Sequence, residues 1–168
     1  MELGLKNKRA LILGSSSGLG LSIAEVLSLE GCNLILASRN IDKLESIRDQ
    51  LQKKSRVNCD IFGLDLTDTN SVDSFTESLK NLDVDILINN TGGPPPSNTT
   101  NTQASVWETY VQSIILNIIK ITDVVLPTMK EISWVVIWIY VLTLLRCLKN
   151  ISLTYQVLLH HQMRVKQL

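Results

Sequence analysis

The sequence predicts a three-layer α/β domain built on a parallel sheet, and three observations carry that expectation. Short apolar runs alternate with segments of helical period over most of the chain. A strand, a helix and a second strand fit within roughly 30 residues near the N-terminus, the length of a βαβ unit, whose right-handed crossover makes its strands parallel. Between that first strand and helix stand three closely spaced glycines, Gly14, Gly18 and Gly20.

Taken in order, residues 10–13 form the first buried strand. From Leu19 the apolar residues Leu19, Ile23, Val26 and Leu27 mark one face of a helix that Gly31 ends. Residues 33–37 are the second strand, running into Ser38-Arg39-Asn40. Asp42 begins a polar helix whose buried face is Leu44, Ile47 and Leu51. A third strand over 57–66, its alternation broken by Gly63, ends in Asp65-Leu66-Thr67-Asp68. Thr67 or Asp68 caps the next helix, with Val72, Phe75, Leu79 and Leu82 as its face. Residues 85–90 are a fourth strand leading into Thr91-Gly92-Gly93-Pro94-Pro95-Pro96, and 97–102 form a polar loop. A long helix over 103–131 follows, apolar at Trp107, Val111, Ile114, Ile115, Ile118, Ile121, Val125 and Leu126. The apolar run after Trp134 has room for a fifth strand. The expected sheet order is 3-2-1, with the fourth and fifth strands added beyond the first.

Composition narrows the function classes. The 168 residues suffice for one domain with a real core. Sixteen Lys plus Arg balance sixteen Asp plus Glu, with no basic run, so nothing favours a nucleic-acid surface. Cys32, Cys59 and Cys147 are odd in number and lack C-x-x-C spacing, and His160 and His161 are the sole histidines, which argues against a metal site or a disulfide framework. A reducing cytoplasmic setting fits better. The N-terminus lacks a signal-peptide apolar core. Residues 132–145 fall short of the roughly 18 needed to span a bilayer and read as core, so no membrane association is expected.

The glycine turn points to a ligand. Residues without Cβ let the backbone bend tightly and approach a bound group, and the free N–H groups of a helix start favour a pyrophosphate. On glycine content alone, an ordinary turn is an equal reading. At the tip of the second strand, where such folds meet the adenosine ribose, stands Arg39 and no carboxylate. An arginine there suits the 2′-phosphate of NADP rather than NAD. The alternative is a solvated residue at the start of a helix.

The spacing Gly14-x-x-x-Gly18-x-Gly20 resembles the glycine motif of the short-chain dehydrogenase/reductase family. Asn89-Asn90-Thr91-Gly92 resembles the family's Asn-Asn-Ala-Gly at the right distance, and Leu126-Pro127-x-Met129 its Leu-Pro-x-Met. The Thr-Gly-Gly-Pro-Pro-Pro continuation is similar to the 3-oxoacyl-[acyl-carrier-protein] reductase-like branch. The resemblance implies a Rossmann-like sheet, incomplete here at its C-terminal edge, and hydride transfer between NADP and a small-molecule carbonyl or alcohol. It places the cofactor on Gly14, Ser16, Ser17, Gly18, Leu19, Gly20, Arg39, Asp65, Leu66, Asn90, Thr91 and Gly92. Asp65 and Leu66 would contact the adenine ring; read blandly, Asp65 is a turn and capping residue. One asparagine of the Asn89-Asn90 pair would tie neighbouring strands, while Asn90 and the glycine edge let the ribose pass. The 103–131 helix would contribute to a homo-oligomer interface, or is an ordinary central helix.

After Trp134 the resemblance stops, which divides the chain into a cofactor-binding part, 1–134, and a divergent tail, 135–168. Leu142 stands where the family's catalytic serine belongs. Tyr155 falls at the tyrosine spacing and is the candidate catalytic residue, but Leu159 replaces the lysine and Ile114 the helix asparagine, with Asn117 one turn away. The family reaction uses the phenol as general acid, its pKa lowered by the lysine from a free value of about 10. A shift in reading frame after Trp134 would account for the tail, and an uninterrupted frame carrying the same tail in close relatives would refute it. The rival expectation is a truncated remnant that binds nucleotide or a partner chain without turnover.

Overall fold

The computed structural model describes residues 4–92, 103–131 and 136–140, the last three as backbone. Strands β1 (Arg9–Leu13), β2 (Asn33–Ser38), β3 (Cys59–Gly63), β4 (Ile86–Asn90) and β5 (Val136–Tyr140) form one sheet in the order β3-β2-β1-β4-β5. Every neighbouring pair is parallel. Helices α1 (Gly18–Leu29), α2 (Ile41–Ser55), α3 (Thr69–Leu79), α4 (Ala104–Val111) and α5 (Asn117–Glu131) supply the outer layers, with a π-helical turn, Gln112–Leu116, joining the last two. The expected α/β architecture and strand order are both present.

Strand alternation divides the core between the two faces of the sheet. Leu11, Leu13, Ile35 and Leu87 pack with Val72, Phe75 and Leu79 of α3 and with Ile118, Ile121, Val125 and Met129 of α5. Ala10, Ile12, Leu34, Leu36, Ile86 and Ile88 pack with Ala24 of α1 and with Leu44, Ile47 and Leu51 of α2. Because both faces are covered, a central strand such as Leu34-Ile35-Leu36-Ala37 is apolar without interruption. The chain steps outward from β1 through β2 to β3 with α1 and α2 on one face. It then returns past β1 to β4 and β5 with α3 and α5 on the other, as right-handed crossovers require. Strand order therefore reverses between β1 and β4, and β1 is pinned there by Asp85, which accepts from Arg9 N (2.8 Å) and Lys8 Nζ (2.9 Å).

Several expectations are corrected. Val26 is 59% exposed, and the buried face of α1 is Gly20, Ala24 and Ser28. Small side chains let α1 lie close on the sheet, leaving Val26 on the wall of an open apolar depression of about 400 Å³, shared with Ile23, Leu27, Ile86, Ile88 and Val136. The third strand is shorter than 57–66: pairing with β2 ends at Gly63, beyond which side-chain hydrogen bonds hold the chain in a turn. The 103–131 helix starts at Ala104 and is interrupted by the π-helical turn, and Trp107, Val111 and Ile115 are exposed rather than buried. By length and mean hydropathy (1.4) the 104–131 run could cross a bilayer. About a quarter of it is buried, through Ile118, Ile121, Val125 and Met129, which pack on the sheet. The fifth strand lies at 136–140, paired with β4 and at the edge of the sheet among the described residues.

Candidate functional site

Ligands of open α/β sheets bind beyond the carboxyl ends of the strands where strand order reverses, here the β1/β4 crevice. Gly14 follows β1 with φ +62°, and its carbonyl accepts a hydrogen bond from Asn90 Nδ2 at the end of β4 (3.2 Å). A Cβ on Gly14 would lie 2.6 Å from Asn90 O, and one on Gly20 would lie 2.3 Å from Gly14 O and 2.9 Å from Asn90 Nδ2. The three residues interlock so closely that neither glycine can carry a side chain. Gly18 differs: its φ is +55° and nothing lies within 4 Å of a Cβ built there, so this edge of the turn is open.

Ser15 is buried and donates both its N–H and its Oγ to Ala37 O of β2 (3.3 Å each), which ties the turn to the sheet. Ser16 is half-buried and Ser17 exposed. Ser17 is the N-cap of α1 but makes no side-chain cap bond, and the first turn carries no acid. The N–H groups of Gly18, Leu19 and Gly20 precede the first intrahelical partner and so remain available to an anion.

At the tip of β2, Arg39 is exposed and makes no ion pair among the described residues, while Asn40 caps α2 by accepting from Lys43 N (2.9 Å). Beside it, Asp65 Oδ1 accepts from Thr67 Oγ1 (2.7 Å) and Thr67 N (2.9 Å). These bonds hold its carboxyl below the usual carboxylate range, with a further contribution from the Arg39 charge. Asp68 is the cap of α3, accepting from Asn70 N (3.0 Å). The Leu66 carbonyl accepts from Asn117 Nδ2 (2.8 Å).

The tie between the β1 turn and β4 is made by Asn90; Asn89 is buried and neither atom of its amide finds a partner among the described residues. Thr91 is half-buried and Gly92 exposed beyond it. The structure thus gathers the glycine turn, Asn90, Thr91 and Gly92 at the reversal point, and Arg39, Asp65 and Leu66 toward the β3 side. Tyr155, Leu142 and Leu159 lie outside the described residues. Ile114 sits half-buried in the π-helical turn.

Among the described residues no cluster of His, Cys, Asp and Glu could hold a metal. Burial pushes the Cys32 thiol up to about 11 and Cys59 to about 12, which leaves both protonated and unreactive near neutral pH. The sequence did not point to the Asn117–Leu66 bond, nor to Gln112, whose Nε2 donates to Asn117 Oδ1 (3.0 Å). Their one signal was a pair of amides five residues apart in an otherwise apolar stretch.

A family profile described as short chain dehydrogenase matches residues 8–139. An uncharacterised oxidoreductase of Staphylococcus aureus is 32% identical over 131 residues, 77% of this chain and 55% of that protein. Sulfoacetaldehyde reductase of Chromohalobacter salexigens is 30% identical over 125 residues, 73% of this chain and 49% of the relative. The chain therefore spans about half the length of the curated relatives it matches. Among solved structures, L-sorbose reductase from Gluconobacter frateurii, complexed with NADPH and L-sorbose, superposes with a TM-score of 0.72 at 29% identity, covering 78% of this chain and 51% of that one. An alcohol dehydrogenase from Thermococcus sibiricus, complexed with 5-hydroxy-NADP, gives 0.70 at 26% identity, covering 77% and 56%. By its interlocked glycine turn, its strand order and these matches, the chain belongs to the short chain dehydrogenase family.

Proposed function

We propose that residues 1–134 are the cofactor-binding part of an NADP(H)-dependent oxidoreductase acting on a small carbonyl or alcohol. The observation that carries the reading is the Gly14–Gly20–Asn90 interlock beside an uncapped helix start. The interlock packs the turn directly against the end of β4, and it leaves the open edge at Gly18 and the uncapped N–H groups of α1 facing outward, where a pyrophosphate would fit. Gly14, Ser16, Ser17, Gly18, Leu19 and Gly20 would hold the pyrophosphate; Asn90, Thr91 and Gly92 would line the ribose. Arg39 would pair with the 2′-phosphate, and Asp65 and Leu66 would meet the adenine.

A nicotinamide dinucleotide held by these residues would supply hydride chemistry toward the substrate carbon. This chain's own contribution at the reacting end would be a proton, with Tyr155 as the candidate donor to the carbonyl oxygen. The NADPH and NADP derivative held by two solved relatives support the cofactor preference, and the names of the matched reductases support a small carbonyl substrate. The Thr-Gly-Gly-Pro-Pro-Pro run supports a 3-oxoacyl thioester within that class. The oxidoreductase matches favour this reading over a remnant without turnover, and a cytoplasmic setting suits buried reduced thiols.

Calorimetric titration with NADPH and NADH tests the cofactor part. NADPH is expected to bind more tightly, and Arg39→Ala to remove a preference of about 1–3 kcal/mol. Equal affinity of the unaltered chain for both cofactors would refute it. For self-association, Trp107, Val111, Ile115 and Ile119 form an exposed apolar stripe at four-residue intervals, which supports a second copy of this chain as partner. Light scattering should then show a dimer that Ile115→Lys dissociates; a monomer at micromolar concentration would count against it.

A further inference from the structure

Asn117 is 1% exposed at the start of α5, and both ends of its amide are satisfied. Nδ2 donates to Leu66 O (2.8 Å), and Oδ1 accepts from Gln112 Nε2 (3.0 Å). A carbonyl only accepts, so the Leu66 end fixes which way the Asn117 amide faces, and Gln112 must then present its amino group. Five residues in a regular α-helix are turned about 140° from one another, too far apart for these two side chains to meet. The π-helical turn brings them together, with the backbone N–H of Asn117 bonded to Gln112 O across it. The irregular turn and the amide relay are one device, and it ends on a residue 51 positions away in sequence, in the turn after β3.

That turn needs such a tether. Asp65, Asp68 and Ser71 side chains satisfy its N–H groups at Thr67, Asn70 and Asp65. The Leu66 carbonyl instead takes its side-chain donor from α5. The turn stands next to Arg39, on the side toward which a dinucleotide extends from the β1/β4 reversal point.

Resting on the cofactor reading above, we propose that Asn117 is a positioning residue for the adenine half of the dinucleotide, holding the Asp65–Leu66 turn in place through the Leu66 carbonyl. Gln112 orients the Asn117 amide for that purpose. The device also links the adenine end of the site mechanically to the helix that follows residues 93–102.

The experiment uses the whole 168-residue chain, unaltered and as Asn117→Leu and Gln112→Ala, at a temperature where circular dichroism shows each folded. Asn117→Leu keeps nearly the same volume but has no donor for Leu66. Two cofactor halves are titrated: adenosine 2′,5′-bisphosphate by calorimetry and nicotinamide mononucleotide by NMR. Asn117→Leu is expected to weaken the adenine half about tenfold and Gln112→Ala about threefold, with the nicotinamide half unchanged in both. A merely structural role would lower the thermal midpoint and leave the ratio of the two affinities unaltered, which would overturn the proposal. If Asn117→Leu does not fold, Gln112→Ala decides in the same way, since an unchanged ratio in that variant overturns it too. An unaltered chain that binds neither half sinks the cofactor reading and this inference with it, whereas normal binding with unchanged ratios in the variants sinks the role of Asn117 alone.

Discussion

The turns after β1 and β3 do the same topological work, carrying the chain from the carboxyl end of a strand into a helix, yet they dispose of their hydrogen-bonding groups in opposite ways. After β3, side chains answer the turn's own backbone: Asp65 holds Thr67, Asp68 caps α3, Ser71 accepts from Asp65 N and Asn117 reaches in for Leu66. After β1, the glycines pack against Asn90 while Ser17 leaves the start of α1 without a side-chain cap. A self-satisfied turn is a rigid wall, whereas an uncapped one keeps N–H groups and positive dipole for something else. On the proposed reading, the β3 turn would hold a fixed wall against the adenine and the β1 turn would take the pyrophosphate.

Breaking the interlock should have the largest effect. Gly20→Ala puts a methyl group against the Gly14 carbonyl, and the stability measured by urea unfolding is expected to fall by about 3 kcal/mol. The change Ser17→Asp probes the open helix start directly. A carboxylate placed there competes with the pyrophosphate, so NADPH affinity by calorimetry should fall about 10- to 100-fold with stability nearly unaltered. The mirror experiment is Asp68→Ala, which removes a cap the protein itself uses: about 1 kcal/mol of stability should go, and NADPH affinity should hold.

The smallest effect is a pH dependence confined to the β3 turn. The folded pKa of Asp65 is depressed, so its contribution is fully present above the unfolded carboxyl value of about 3.9 and is lost as pH falls through the folded value. Thr67→Val removes the largest cause of that depression. The variant should therefore lose stability near neutral pH but match the unaltered chain once both carboxyls are protonated, a convergence that acid titration of the thermal midpoint would show or deny.

Local chemistry made much of the molecule legible. The faces of α2 (Leu44, Ile47, Leu51) and α3 (Val72, Phe75, Leu79) follow from helical spacing because bulky apolar side chains are their main contact with the sheet. The face of α1 did not follow, because close packing selected Gly20, Ala24 and Ser28, residues that carry little hydrophobic signal. The sequence also located the glycine turn and the Asn89-Asn90 pair, but not which amide would bond across the crevice. That depends on which side of the sheet each residue faces, and Asn90 is the one directed to Gly14.

By itself, then, the sequence determined the alternation of strands and helices, the parallel sheet and its order, and the places where glycine, arginine and carboxylate chemistry occur. The alternation and the parallel pairing are consequences of periodicity and crossover handedness and the chemistry of residue type, all of which act over short stretches of chain, whereas the sheet order followed from the resemblance to Rossmann-like folds. Only the tertiary structure decided that Gly14, Gly20 and Asn90 interlock, that the helix over 104–131 carries a π-helical turn, and that Asn117 spans 51 residues to reach Leu66. Each of those features is a meeting of groups distant in sequence or a departure from regular helix geometry. Its existence depends on how the two layers of helices settle on the sheet, and no local pattern of residues encodes that distance.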